Sequence, residues 1–213
     1  MHIKSILLFC GVIFCTSLIG QKFDKDEINF SDPSQIDSSE YFLIPKLVDN
    51  DNKVDYGKGK GYLPWGNYSN IYFYNSRTNQ TKILFGTSLA LILPFNSRKY
   101  YYDKPQEPPS NILPRLIVYL ARTDNYSGDN ALDTDDPIYL YISTRTGDNL
   151  TQISPKGLNV VSWTLSKDKN LILVKLQQDK NDNKKFGNGD DEVYYRIDLE
   201  DDISKIKCYP IRL

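Results

Sequence analysis

The chain has 213 residues, with 26 Lys and Arg against 27 Asp and Glu for a formal net charge of −1, enough length for one domain with a substantial core. That balance excludes a dedicated nucleic-acid surface, which needs excess cations to displace counterions from phosphate. Sixteen Tyr and nine Phe against a single Met favour strands, because aromatic side chains fit a pleated, half-buried surface.

In chain order, residues 1–20 read as an export signal. His2 and Lys4 open it, an apolar run follows from Ile6 to Ile19, and a cut after Gly20 leaves Gln21 as the new terminus. The run is shorter than the about 20 apolar residues of a membrane span. No transmembrane span is therefore expected after signal removal, and the destination is secretion, the periplasm or the cell envelope. A lipid-modified cysteine is the less favoured route, because Phe9 and Phe14 precede Cys10 and Cys15 where a lipoprotein signal takes a small residue. Removing the signal removes the only histidine, His2, and leaves a lone Cys208. This excludes Ser-His-Asp and Cys-His mechanisms, the usual zinc sites and an intramolecular disulfide. Cys208 then reads as a small buried hydrophobe.

Residues 21–39 form a polar, Pro-broken arm. From Glu40 onward, strand-like runs of 4 to 9 residues alternate with Asn, Asp, Gly, Ser and Pro clusters: EYFLIPKLV, SNIYFYN, TKILFG, SLALILPF, then LPRLIVYLA, PIYLYIS, LTQIS, NVVSWTL, NLILVKL, EVYYRID and SKIKCYPI. No stretch holds a 3.6-residue period between helix start and stop signals. The expectation is an all-β domain over 40–213.

Setting Asp124 under Asp179, a shift of 55, lays RLIVYLARTD on NLILVKLQQD, Asp135 on Asp190 and IYLYIS on VYYRID. A looser copy begins at EYFLIPKLVDND. The domain thus divides into antiparallel four-stranded units at roughly 40–87, 88–154 and 158–213, the size of a propeller blade. NVVSWTLSKDKNLILVKL and IYLYISTRTGDNLTQIS resemble the strand–turn–strand and the following hairpin of TolB-like and WD40-like β-propeller repeats. That resemblance implies a propeller-like architecture and a binding surface without implying a shared reaction. Three blades are fewer than the usual ~4–8, so the units form an open arc or sandwich, or a homo-oligomer completes the β assembly.

Chemistry concentrates in the Asp-rich loops. In DKNDNKKFGNGD, Asp179, Asn181, Asn183 and Asp190 occupy the first, third, fifth and twelfth places of a calcium loop, and Lys185 would add its carbonyl. The weaker loop places Asp124 and Asp135 at the corresponding ends. Calcium is thus the expected cofactor, set against a solvated loop in which Asn and Asp bond their own backbone. No catalytic residues are assigned. The expected function is an exported binding or structural module for a protein or glycan partner. The alternative is a glycan-binding protein of the envelope, or a carbohydrate-active hydrolase using the pairs Asp135–Asp136 and Asp190–Asp191. Tyr62, Trp65, Tyr100, Tyr101 and Tyr102 stand in loops as candidate stacking contacts for a ligand.

Overall fold

The computed structural model describes residues 29–48, 68–86, 90–93, 113–166, 168 and 170–213. Among them the chain is all-β, with twelve strands and a single 3₁₀ turn at Ile203–Lys205. Every strand pairing is antiparallel. No helix among the described residues is long and apolar enough to cross a membrane.

The strands fall into three runs in which sequence neighbours pair. The first holds β1 (Ser34–Gln35), β2 (Tyr41–Leu47), β3 (Tyr68–Asn75) and β4 (Gln80–Ile83). The second holds β5 (Leu91–Ile92), β6 (Leu116–Arg122), β7 (Tyr139–Thr144) and β8 (Thr151–Gln152). The third holds β9 (Leu158–Leu165), β10 (Leu171–Gln178), β11 (Asp191–Asp198) and β12 (Lys207–Ile211). The first two runs merge into one eight-stranded sheet, because Tyr68 at the start of β3 pairs with Ile92 of β5. The third run is a separate four-stranded sheet. It meets the second at the corresponding place, where the Val160 N–H donates to the Ile138 carbonyl at 2.8 Å. No closed ring is present among the described residues. Residues 29–39, read from the sequence as part of the polar arm, contribute β1, and Ile36 beside it is fully buried.

Strand periodicity distributes the core. Side chains alternate between faces, so β6, reading LIVYLAR, sends Leu116 and Val118 to one side and Ile117, Tyr119 and Ala121 to the other. The first set packs with Leu140, Ile142, Ile172, Val174, Leu176 and Ile197 in a cluster shared by the two sheets. The second packs with Ile36, Leu43, Ile71, Phe73 and Phe85 of the first run and its flanks, and with Ile92 of β5. A continuous apolar run marks a strand covered on both faces, and β6 is that strand. In β10 only Ile172, Val174 and Leu176 are buried, while Leu173 between them is 44% exposed.

Turns hold neighbouring runs together. Gly147, at φ +76°, sits in the β7–β8 turn with the Phe73 ring 2.6 Å from the place a Cβ would occupy. The matching β3–β4 turn uses Asn79 at φ 55°, a residue that tolerates the left-handed region. Arg145 of the β7–β8 turn pairs with Asp37 and donates to the Pro114 carbonyl at 3.2 Å, and Lys82 of β4 pairs with Asp148. Two outcomes follow for urea unfolding. Gly147→Ala lowers stability by about 1–3 kcal/mol through strain against Phe73 and the positive φ. Ile172→Ala costs about 2–5 kcal/mol as a cavity in the shared cluster.

Candidate functional site

The Asp179 loop connects β10 to β11, and its side-chain oxygens turn inward onto its own amides. Asp179 accepts from Asn183 N–H at 3.2 Å and Lys184 N–H at 3.0 Å, Asn181 accepts from Asn183 N–H at 3.0 Å, and Asn183 accepts from Lys185 N–H at 2.9 Å. Asp190 closes the loop, accepting from Lys180 N–H at 3.2 Å and Gly187 N–H at 2.9 Å. These are Asx-type turns, in which a short polar side chain replaces a backbone acceptor. The Lys184 and Lys185 ammonium groups lie on Asp182 and Asp135, each within 2.9 Å of its partner. Among the described residues, no three His, Cys, Asp or Glu side chains are grouped to hold a metal ion.

The Asp124 loop, between β6 and β7, is built around a carboxylate that spacing alone did not single out. Asp136 is 1% exposed and accepts from Tyr126 N–H at 2.8 Å, Ser127 N–H at 3.1 Å and Asp133 N–H at 3.1 Å. Its counterpart is Asp190, since the pairs Tyr126–Asp136 and Lys180–Asp190 differ by 180 − 126 = 190 − 136 = 54. The strand register agrees: Leu116 pairs with Thr144 and Leu171 with Asp198, steps of 55 and 54. The single shift of 55 read from the sequence therefore holds for the first strand only. One residue is lost inside the loop, and Asp136 matches Asp190 where the sequence had offered Asp135. A search for the one-residue gap would have found Asp136.

Asp135 points the other way and joins the two loops through Lys185 at 2.8 Å. Tyr126 completes that junction: its hydroxyl donates to Asp179 at 3.2 Å, its ring lies 5.2 Å from Phe186, and the Lys184 ammonium sits 4.9 Å from its centroid. The expected ligand set is thus divided among separate tasks. Asp179, Asn181, Asn183 and Asp190 shape one loop, Lys185 and Asp135 clamp the loops together, and Asp124 faces a cleft.

That cleft has a volume of about 480 Å³ and is lined by Leu84, Phe85, Thr123, Asp124, Tyr139, Tyr141, Leu150, Gln152 and Lys156. Burial of β7 places both tyrosine rings at its wall. The Gly157 N–H donates to the Tyr139 hydroxyl at 3.0 Å, and that hydroxyl donates to Asp124 at 3.3 Å. Lys156 stands 3.5 Å from the same carboxylate. Tyr141 shares a 2.7 Å bond with Thr123, donates to Gln152 at 3.0 Å, and meets Phe85 edge-on at 5.3 Å. Burial pushes the Tyr139 phenol up to about 12, with the Asp124 carboxylate adding to the rise against the Gly157 amide. Burial also raises Tyr119, whose hydroxyl shares a 2.6 Å bond with Ser143. Tyr62, Trp65 and Tyr100–Tyr102 lie outside the described residues. Tyr139, Tyr141 and Lys156 were not singled out from the sequence, because YLY in a strand reads equally as packing.

Cys208 is half-buried, packs against the shared cluster and is a free thiol that burial pushes up to about 11. Compared with known proteins, the chain matches no family model, no curated protein and no solved structure.

Two measurements test this geometry. Asp136→Ala strands part-buried donors at up to roughly 1–3 kcal/mol each, whereas Asp135→Ala removes a part-exposed ion pair worth under about 1 kcal/mol; urea midpoints separate the two. For the tyrosines, a folded pKa above the ordinary 10.0 means the folded state holds the proton more tightly. The contribution of Tyr139 is intact below about pH 10 and is lost as pH rises through about 12. Tyrosinate absorbance is expected to appear in two stages, the second coinciding with alkaline loss of the β circular-dichroism signal.

Proposed function

We propose that the protein is an exported β-repeat module that binds a ligand without transforming it. The three strand runs are its propeller-like blades, stacked in an open arc, and the Tyr139–Tyr141–Asp124 cleft is the ligand site. The observation that carries the reading is the convergence, in one cleft of about 480 Å³, of two aromatic walls with a carboxylate, an amide and an ammonium. Ligand sites combine apolar walls with a few placed polar groups in this way. Tyr139 is buried behind the cleft and the half-buried Tyr141 supplies the accessible ring; an aromatic wall beside fixed polar partners suits a polyhydroxylated ligand, so a glycan is the preferred class. The hydrolase alternative needs two carboxyls facing across the scissile bond, roughly 5–9.5 Å apart. Among the described lining residues the cleft offers one, Asp124.

Titration calorimetry with soluble hexose and N-acetylhexosamine oligosaccharides tests the assignment. Binding is expected to fall at least tenfold in Tyr141→Ala and Asp124→Asn, and to survive in Leu173→Asp. Saccharide binding that Tyr141→Ala and Asp124→Asn leave intact removes the cleft from the proposal.

Calcium stabilisation of the Asp179 loop is a separate part of the proposal. It is supported by three side-chain oxygens, from Asp179, Asn181 and Asn183, gathered on one turn. A bound ion raises the melting temperature by mass action, so millimolar calcium is expected to raise it in the wild type and not in Asp179→Ala. An unchanged wild-type curve removes calcium from the account.

A further inference from the structure

The three runs place equivalent residues on equivalent faces. Tyr41 pairs with Asn75, Leu116 with Thr144 and Leu171 with Asp198, so Leu43, Val118 and Leu173 fall at one position of the run. Leu43 is 1% exposed beneath the second run and Val118 is 0% exposed beneath the third, whereas Leu173, on the last run, is 44% exposed. On the opposite face the corresponding residues are Phe42, Ile117 and Ile172. The latter two are fully buried against the preceding run, and Phe42 lies half-buried on the outer side of the first. The packing rule inside the chain is therefore uniform: the leading face of each run covers the trailing face of the one before.

Among the described residues, the two ends leave one face of each kind without a covering run. The open leading face is aromatic, with Phe42 against Tyr74 at 6.3 Å and Phe30 against Tyr72 at 5.7 Å. The open trailing face carries Leu173 and Tyr209, which share one register position through Arg196. Among the described residues five large hydrophobics are exposed: the terminal Leu213, Val161 at the β9 bulge, and Phe30, Leu173 and Tyr209, which stand on these two faces. Charges at the rim match as well. Arg145 in the second run reaches back to Asp37 in the β1–β2 turn. Counted from the left-handed turn residue rather than from the last strand pair, its counterpart in the first run is Arg77, two residues before Asn79 as Arg145 is before Gly147. The β9–β10 turn, equivalent to that of Asp37, presents Asp168 one position on.

We infer that the open leading face of one chain packs on the open trailing face of a second copy, head to tail, and that two chains close into a ring of six runs. The second copy is the favoured occupant because the junction it makes continues the two already present within the chain. A heterologous contact closes when its rotation permits, and six runs lie within the ~4–8 of closed propellers. This rests on the repeat reading for the matching of faces and is independent of the cleft ligand and of calcium.

Analytical ultracentrifugation of the purified protein tests it. The wild type is expected as a two-chain particle. Phe30→Asp, on the leading face, and Leu173→Asp, on the trailing face, are each expected to lose the dimer while retaining the β circular-dichroism spectrum. An equimolar mixture regains dimer mass, because one intact leading face then meets one intact trailing face. As a milder pair, Arg77→Asp weakens the dimer and the double variant Arg77→Asp, Asp168→Arg restores it. A monomeric wild type, an open series of larger species, or a single variant that stays dimeric overturns the inference. A monomer that still binds saccharide leaves the cleft assignment standing.

Discussion

Two-residue alternation along the strands is the constraint on which the structure depends. Each strand of a four-stranded run presents two faces, and each apolar face must find a cover. The middle run has both faces apolar, through Ile117 and Tyr119 on one side and Leu116 and Val118 on the other. It is stable only between two neighbours, and its β6 is the strand around which both buried clusters form. The burial of a Val, Leu or Ile side chain contributes about 1.5–3 kcal/mol. The two clusters therefore outweigh the exposed ion pairs at the turns, which stabilise by at most about 1 kcal/mol each.

Those ion pairs set orientation instead. Arg145 on Asp37, Lys82 on Asp148 and Arg115 on Asp201 each link one run to the next at the sheet ends. Gly147 permits the closest approach, because the Phe73 ring fills the space that any side chain there would need. Between the second and third runs, the same task falls to the paired loops, with Tyr126 bonded to Asp179 and stacked on Phe186. The acidic loops are thus structural contacts as they stand. Asp136 satisfies part-buried amides, which are costly to leave unpaired, whereas Asp179 and Asp190 accept from exposed amides and shape their loop.

The cleft is a by-product of the same junction between runs. Phe85, which follows β4, leans on Tyr141 of β7, and the end of β6 places Asp124 opposite. Tyr139 is held by a fixed chain of donors, from the Gly157 amide through its hydroxyl to Asp124. Polar groups held in this way are pre-organised, and a ligand meeting them loses less binding energy to their ordering.

All-β character and the antiparallel strand segments were legible in the amino-acid order. They depend on local quantities: alternation and turn residues. The one-residue gap between the loops was not legible, because Asp135 and Asp136 are both aspartates and only the hydrogen bonds distinguish the buried one from the exposed one. Nor was the merging of the first two runs into one sheet, which depends on Tyr68 meeting Ile92 across a long connection. The cleft was hidden for the same reason: its walls come from segments far apart in sequence, and a tyrosine in an alternating strand has the same local pattern whether it packs or binds. Local order determines what each strand offers; which offers are taken up is decided by contacts between strands remote along the chain.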